Sequence, residues 1–229
     1  MKKNEVNKGV YKMVHIRPHK VLDLVKNDER IVKIYLPDIN GLMCLETAIL
    51  QSLIKIIKPK MALEIGTYLG VQTFDMAASM EKVSKLYTLD LDKASFKLAN
   101  VCNQDIPWVL THLSNEDKLA FLGTCEEEKI TRLYGDSTKF DFSPYYGKMN
   151  FIFVDGGHDN ETLNSDTINA FKLIDKTKPY CICWHDYGNK NYDVTGYLDK
   201  LSNKINIFHI EETMLCLYVN DEVGDLLIN

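Results

Sequence analysis

A short apolar run closes on an acid and two spaced glycines in Met61-Ala62-Leu63-Glu64-Ile65-Gly66-Thr67-Tyr68-Leu69-Gly70, and a helix-like segment follows directly. Leu63 and Ile65 suit a strand buried on both faces. Gly66 permits a tight turn or a close backbone approach, and Gly70 opens a segment whose first amides can face a ligand. An ordinary strand-turn-helix junction reads the same way, so the rest of the chain must decide. Beyond it, strand-like runs at 62–65, 86–90, 130–134, 151–154 and 181–184 alternate with helix-like segments at 70–79, 93–103, 161–174 and 194–201. That alternation predicts a parallel sheet covered by helices.

The last two apolar runs, 205–210 and 214–219, are joined by Glu211-Glu212-Thr213 and read as an antiparallel hairpin at the sheet edge. The expected fold is therefore α/β, a Rossmann-like doubly wound sheet of about seven strands, mostly parallel with an antiparallel C-terminal hairpin edge. Leu42, Leu45, Ile49, Leu50, Leu53, Ile54 and Ile57 recur at three- and four-residue steps and predict an amphipathic helix, which Lys58-Pro59-Lys60 ends. Residues 1–41 lack such periodicity and carry six Lys or Arg among the first twenty positions against one acid, Glu5. They are expected to form an N-terminal arm or lid ahead of one domain over 42–229. A polar, helix-prone insertion is expected at 115–128.

The 229 residues, 45% hydrophobic, suffice for one well-buried core. A net charge of -5 argues against nucleic acid or an acidic membrane as partner and favours a small-molecule substrate; a homo-oligomer is compatible with it. No apolar signal region follows the basic start, and no long uncharged apolar stretch appears, so a cytoplasmic protein is expected. Cys44, Cys102, Cys125, Cys181, Cys183 and Cys216 form no C-x-x-C pair, the usage of a reducing compartment. Cys181 and Cys183 share one strand face and read as small buried hydrophobes rather than metal ligands.

In an open α/β sheet the ligand lies beyond the carboxyl ends of the strands. Five such ends here are polar: Gly66-Thr67-Tyr68-Leu69-Gly70, Asp90-Leu91-Asp92, Gly135-Asp136-Ser137, Asp155-Gly156-Gly157-His158 and His185-Asp186-Tyr187. Asp90 stands where a carboxylate accepts the hydroxyls of an adenosine ribose, the other reading being a helix cap or loop acid. Asp92 is better suited to capping the next helix. Asp136 and Ser137 can bond an adenine amino group and ring nitrogen.

Glu64-Ile65-Gly66-Thr67-Tyr68-Leu69-Gly70 resembles the E-I-G-T-Y-x-G signature of class I S-adenosylmethionine-dependent O-methyltransferases of the catechol and caffeoyl-CoA type. The later motifs, Gly135-Asp136-Ser137, Val154-Asp155-Gly156-Gly157-His158 and Trp184-His185-Asp186-Tyr187, are similar to a bacterial branch of that fold among sugar and natural-product methyltransferases. The resemblance spans roughly 42–220. It implies an S-adenosylmethionine-dependent O-methyltransferase with Glu64, Gly66, Thr67, Tyr68 and Gly70 around the methionine part of the cofactor, Asp90 on the ribose, Asp136 and Ser137 on the adenine, and Asp155 bordering the donor. Where the catechol type has a serine after the second glycine, this chain has Val71-Gln72-Thr73, which passes the carboxylate contact to Gln72 or Thr73.

At the ends of adjacent strands, Asp155 and Asp186 can share one hard divalent cation such as magnesium, which in the metal-dependent enzymes holds the acceptor hydroxyl beside the methyl donor. His158, three residues after Asp155, is expected to be the general base, as an imidazole titrating near neutral pH, with His185 the competing base. Tyr187 replaces the asparagine that supplies a third ligand in the catechol type, leaving that ligand to Asn189 or water; Tyr187 and Tyr192 otherwise wall the acceptor pocket. Rival readings are an NAD-dependent oxidoreductase, which Tyr68 opposes by breaking the G-x-G-x-x-G spacing, and a non-catalytic cofactor-binding protein. A sugar hydroxyl is the first expected acceptor, a phenolic or other natural-product hydroxyl the second.

Overall fold

In this computed structural model, residues 11–26 and 44–228 are described. In chain order they form β1 (Met13–Ile16), α1 (Pro18–Asp23), α2 (Cys44–Ile57), β2 (Met61–Ile65), α3 (Val71–Ser79), β3 (Lys85–Asp90), α4 (Lys93–Phe96), α5 (Ile106–Ser114), β4 (Ile130–Tyr134), β5 (Phe151–Val154), α6 (Asn160–Leu173), β6 (Cys181–Trp184), α7 (Val194–Ser202), β7 (Ile207–Ile210), β8 (Cys216–Val219) and α8 (Asp221–Ile228). The strands build one sheet in the order β1-β7-β8-β6-β5-β2-β3-β4. All pairings are parallel except β6 with β8 and β7 with β8.

Side chains alternate across the sheet, so each central strand feeds two apolar layers. Ala62, Phe151, Phe153, Cys181 and Cys183 pack with α2, α3 and α8 through Leu50, Met76 and Leu227. Leu63, Ile65, Ile152, Val154, Ile182 and Trp184 pack on the opposite face with α6 and α7 through Leu163, Leu173 and Leu198. The cysteine pair is fully buried, as expected of small hydrophobes.

Two expectations are corrected. The antiparallel hairpin lies at that end of the sheet as expected, but one further strand stands outside it: β1 pairs parallel with β7, Met13 opposite Ile207 and Ile16 opposite Ile210. Thus part of the stretch expected as an arm is an eighth strand, followed by a helix whose Val21 is fully buried. Residues 1–10 and 27–43, including Leu42, lie outside the described residues. The helix expected over 93–103 stops at Phe96, capped at its start by Asp92 and Ser95 in a reciprocal box. A separate α5 begins at Ile106 with Pro107 in its first turn, and the insertion from Asn115 contains no regular α-helix.

The chain steps from β2 outward to β3 and β4, and from β5 outward to β6 on the other side. Its switch point is therefore the crevice between the ends of β2 and β5.

Candidate active site

The glycine turn is built by close approach. Gly66 has φ +100°, and a Cβ there would lie 2.0 Å from the Asp155 carbonyl oxygen. The amides of Thr67 and Tyr68 both donate to Asp90 Oδ2 at 2.9 Å, which holds Tyr68 at φ +47°, a conformation an aromatic residue rarely adopts. His112 Nδ1 donates to the Tyr68 carbonyl at 2.6 Å. Asp90 thus ties β3 to the turn, with Leu91 N on its Oδ1 at 2.7 Å.

A cavity of ≈ 620 Å³ opens at the switch point, of the size that holds a cofactor or small substrate. Its wall includes Gly66, Thr67, Tyr68, Gln72, Asp90, Asp136, Ser137, Asp155, His158, His185 and Asp186, brought together from five strand ends. The Gln72 Nε2 is buried with no hydrogen-bond partner. The carboxylate of Asp136 is held by Thr138 and by Lys139 Nζ at 2.9 Å. Burial works against its ionised form, but those bonds outweigh it and keep its pKa low.

Glu64, Gly70 and Thr73 do not line this wall. Period-two alternation sends Glu64 to the face of Ala62, where it is fully buried and accepts hydrogen bonds from Thr73 and Thr88. Burial pushes its pKa up to about 8 against those two bonds, so at neutral pH it is mainly a neutral acid behind the turn. At Gly70, φ +73°, a Cβ would lie 2.8 Å from the Phe121 ring of the insertion, so this glycine lets the insertion pack on the turn.

The end of the cavity beyond β5 and β6 carries a chain of alternating charges. His158 Nδ1 donates to Asp105 Oδ1 at 2.7 Å while its own amide donates to Asp105 Oδ2 at 3.0 Å. The His158 Nε2 lies 2.9 Å from Asp186 Oδ2, close but outside hydrogen-bond alignment, and the ring stacks on Tyr192 at 4.0 Å. Asp186 has φ +65°, and its Oδ1 accepts from Asn189 Nδ2 at 2.9 Å. His185 Nδ1 is 3.2 Å from both Asp155 Oδ1 and Asp186 Oδ2, and its Nε2 faces Glu46 Oε2 at 3.5 Å.

Burial would lower the pKa of both rings. For His158 the carboxylates of Asp105 and Asp186 outweigh it and push the pKa up to about 10. For His185, Asp155, Asp186 and Glu46 push it up to about 12. Burial raises the Asp186 pKa, but the two imidazoles outweigh it and hold the group well below the usual carboxylate range. The expectation of a His158 titrating near neutral pH is therefore corrected for this arrangement: both its nitrogens face carboxylates. Tyr187, offered as a wall residue, turns away and donates to Asp199 Oδ1 at 2.9 Å, whereas Tyr192 does line the cavity.

A sequence-family model described as O-methyltransferase matches residues 31–163, more than half of the chain. The chain belongs to the O-methyltransferase family. The match contains the glycine turn, Asp90, Asp105, Asp136 and the Asp155 to His158 stretch of this methyltransferase, and it ends before His185 and Asp186. An O-methyltransferase from Bacillus cereus in complex with SAH is 15% identical over 88% of each chain, with a TM-score of 0.50. A putative O-methyltransferase from Klebsiella pneumoniae is 19% identical, covering 75% of this chain and 67% of its own, with a TM-score of 0.45. The O-methyltransferase TomG from Streptomyces achromogenes, in complex with SAM, is 12% identical over 88% of this chain and 87% of its own, with a TM-score of 0.48. None of the curated proteins compared matches the methyltransferase in sequence. Family membership removes the oxidoreductase reading. No helix among the described residues is long and apolar enough to cross a membrane.

Sequence reasoning passed over Asp105, Glu46 and His112, all buried in the methyltransferase. Asp105 precedes Ile106-Pro107, a helix-start signal that marks its position but not its partner.

Proposed function

We propose that this O-methyltransferase moves the methyl group of S-adenosylmethionine to a hydroxyl of a small acceptor, a sugar first and a phenolic or other natural-product hydroxyl second. One observation carries the reading: a single cavity runs from the glycine turn to the histidine-carboxylate chain, so a donor on the turn would face an acceptor beside the chain. In this reading Gly66, Thr67 and Tyr68 border the methionine portion, and Gln72 Nε2 supplies a donor for its carboxylate. Asp90 meets the ribose, while Asp136 and Ser137 border the adenine. The six free cysteines fit a reducing compartment, in keeping with a cytoplasmic enzyme.

The acceptor oxygen attacks the sulfonium methyl in line, the C–O bond forms as the C–S bond breaks, and S-adenosylhomocysteine leaves. The chain contributes alignment and a place for the acceptor proton. His158 takes that proton at Nε2, with Asp105 fixing the ring through Nδ1. Asp155 and Asp186 are oxygen donors suited to a divalent cation, and the chemistry such an ion would supply is polarisation of the acceptor hydroxyl and neutralisation of Asp186, which with Asp105 keeps His158 protonated. The test is His158→Ala: S-adenosylhomocysteine binding by calorimetry is retained, while turnover on a panel of sugars and phenols falls by about a hundredfold or more. Undiminished turnover removes the base assignment, and failure of the wild type to bind S-adenosylhomocysteine removes the donor.

A further inference from the structure

His185 stands apart from the groups a magnesium site would need. Magnesium takes oxygen ligands in a near-ideal octahedron, whereas the triad in this cavity that can converge on one point is Asp155, His185 and Asp186, each offering one atom within 4.8 Å of the others. We propose that His185 Nδ1 is an inner ligand of a nitrogen-accepting divalent cation, of the manganese, cobalt or zinc kind, completed by Asp155 Oδ1 and Asp186 Oδ2. This rests on the cation in the proposed function and changes its donor set and its identity.

Three observations carry it. First, Nδ1 lies 3.2 Å from each of the two carboxylate oxygens. Ligand bonds of about 2.0–2.2 Å meeting at tetrahedral to octahedral angles place neighbouring donor atoms about 2.9–3.5 Å apart, so the two spacings need almost no adjustment. Second, two of the three ligands, His185 and Asp186, are already supported from their far sides. Glu46 Oε2 faces His185 Nε2 at 3.5 Å, the carboxylate-histidine arrangement that orients a metal-binding imidazole, and Glu46 Oε1 is pinned by the Met214 amide at 2.7 Å. Asn189 donates to Asp186 Oδ1, leaving Oδ2 for the ion. Asn189 is thus an orienting group and not the third ligand. Third, an imidazole with two carboxylates is a donor set that suits first-row transition ions and zinc better than magnesium.

The same site gives His158 a different task from His185. The two rings flank Asp186 and each has a carboxylate on its far side, Asp105 at His158 Nδ1 and Glu46 at His185 Nε2, but only His185 also faces Asp155, with one nitrogen directed at both Asp155 and Asp186. His185 is therefore a ligand, and it drops out as the competing base.

The experiment uses the full chain, stripped with a chelator, in an H15A background. That substitution removes a second pair of imidazoles, His15 and His209, whose Nδ1 atoms lie 3.2 Å apart and which could take up the probe metal. Manganese is bound at one equivalent and read by pulsed electron paramagnetic resonance, and magnesium, manganese and cobalt affinities are measured by calorimetry. The expected result is a nitrogen coupling from one imidazole, with His185→Asn losing that coupling and weakening manganese and cobalt binding at least tenfold while changing magnesium binding less than threefold. Glu46→Gln weakens manganese about ten- to a hundredfold. Bound manganese without nitrogen coupling in the unsubstituted site overturns the proposal, as does the absence of stoichiometric binding. The readout needs no substrate. Coupling without S-adenosylhomocysteine binding would keep this site and sink the methyltransferase reaction; binding of S-adenosylhomocysteine without any metal would do the reverse.

Discussion

Gly66→Ala is the sharpest perturbation of the switch point, and its cost can be worked from three features. The added Cβ would lie 2.0 Å from the Asp155 carbonyl oxygen and 2.6 Å from its carbon, both backbone atoms, where ordinary contact begins at 3.4 Å. Neither strand can yield freely, because Gly66 N donates to Leu89 O and Asp155 N to Ile65 O, each at 2.9 Å. Overpacking of this kind costs about 1–3 kcal/mol. Alanine at φ +100° adds strain of about 1–3 kcal/mol. Losing one of the two strand-end hydrogen bonds adds about 1 kcal/mol. The expected destabilisation is therefore about 3–7 kcal/mol, a large part of the 5–15 kcal/mol typical of a domain at about this scale. Gly147→Ala is the control, since Gly147 has φ +68° with nothing within 4 Å and bears strain alone. Urea unfolding midpoints of the two variants give the steric part by difference, and calorimetry with S-adenosylhomocysteine reports the crevice. If Gly66→Ala unfolds within about 0.5 kcal/mol of Gly147→Ala, inside the usual range of neutral substitutions, and binds the ligand as the wild type does, the close-approach argument is wrong.

Gln72→Ala should weaken S-adenosylhomocysteine by about five- to tenfold, the worth of one hydrogen bond of about 1 kcal/mol, yet leave methylthioadenosine, which lacks the amino acid part, unchanged; equal losses for both ligands would refute the carboxylate contact. Asp105→Asn should lower turnover by about tenfold or more through a poorly oriented His158, with cofactor affinity unchanged, and unaltered turnover would show that the clamp does not serve the ring. In chelator-treated protein, the raised pKa of His158 gives a stabilisation fully present below its unfolded value of 6.5 and lost as pH rises through about 10. Stability should thus fall across that window by up to about 1.4 kcal/mol per pH unit from this ring. Thermal melts from pH 7 to 9.5 should show a flatter decline for His158→Gln, and parallel declines would refute the pairing.

Most of the sheet was legible because its central strands are apolar on both faces and end in polar turns, so boundary and function coincide at Ile65, Asp90, Val154 and Trp184. The N-terminal strand was not. Four residues, Met13 to Ile16, are too few for a period to declare itself, and their partner, Ile207 to Ile210, lies at the other end of the chain. The pairing exists only because the hairpin offers β7 as an open edge, which nothing near residue 13 records. Glu64 is a different case. Its neighbours Leu63 and Ile65 belong to the layer facing α6 and α7, so strict alternation already assigns Glu64 to the side of α2 and α3, where it is fully buried behind the turn and accepts from Thr73 and Thr88. Motif position, read without strand period, does not separate a side chain buried behind the turn from one on the cavity wall.

The site was legible as a set of residues and not as a set of jobs. Strand-end position assembles Asp155, His158, His185 and Asp186 in one cavity wall, but an imidazole becomes base or ligand according to which carboxylates face its two nitrogens. Those carboxylates arrive from far away in sequence: Asp105 stands 53 residues from His158, and Glu46 is anchored by an amide 168 residues along. Asp105 is placed by the break between α4 and α5, Glu46 by the first turn of α2. Each also closes one end of the charge chain, leaving Asp186 shared between the two rings in the middle. Removing Asp105 should therefore perturb proton removal without touching cation binding, and removing Glu46 should do the opposite. A result in which both substitutions move both properties equally would mean that the two imidazoles act as a single unit through Asp186.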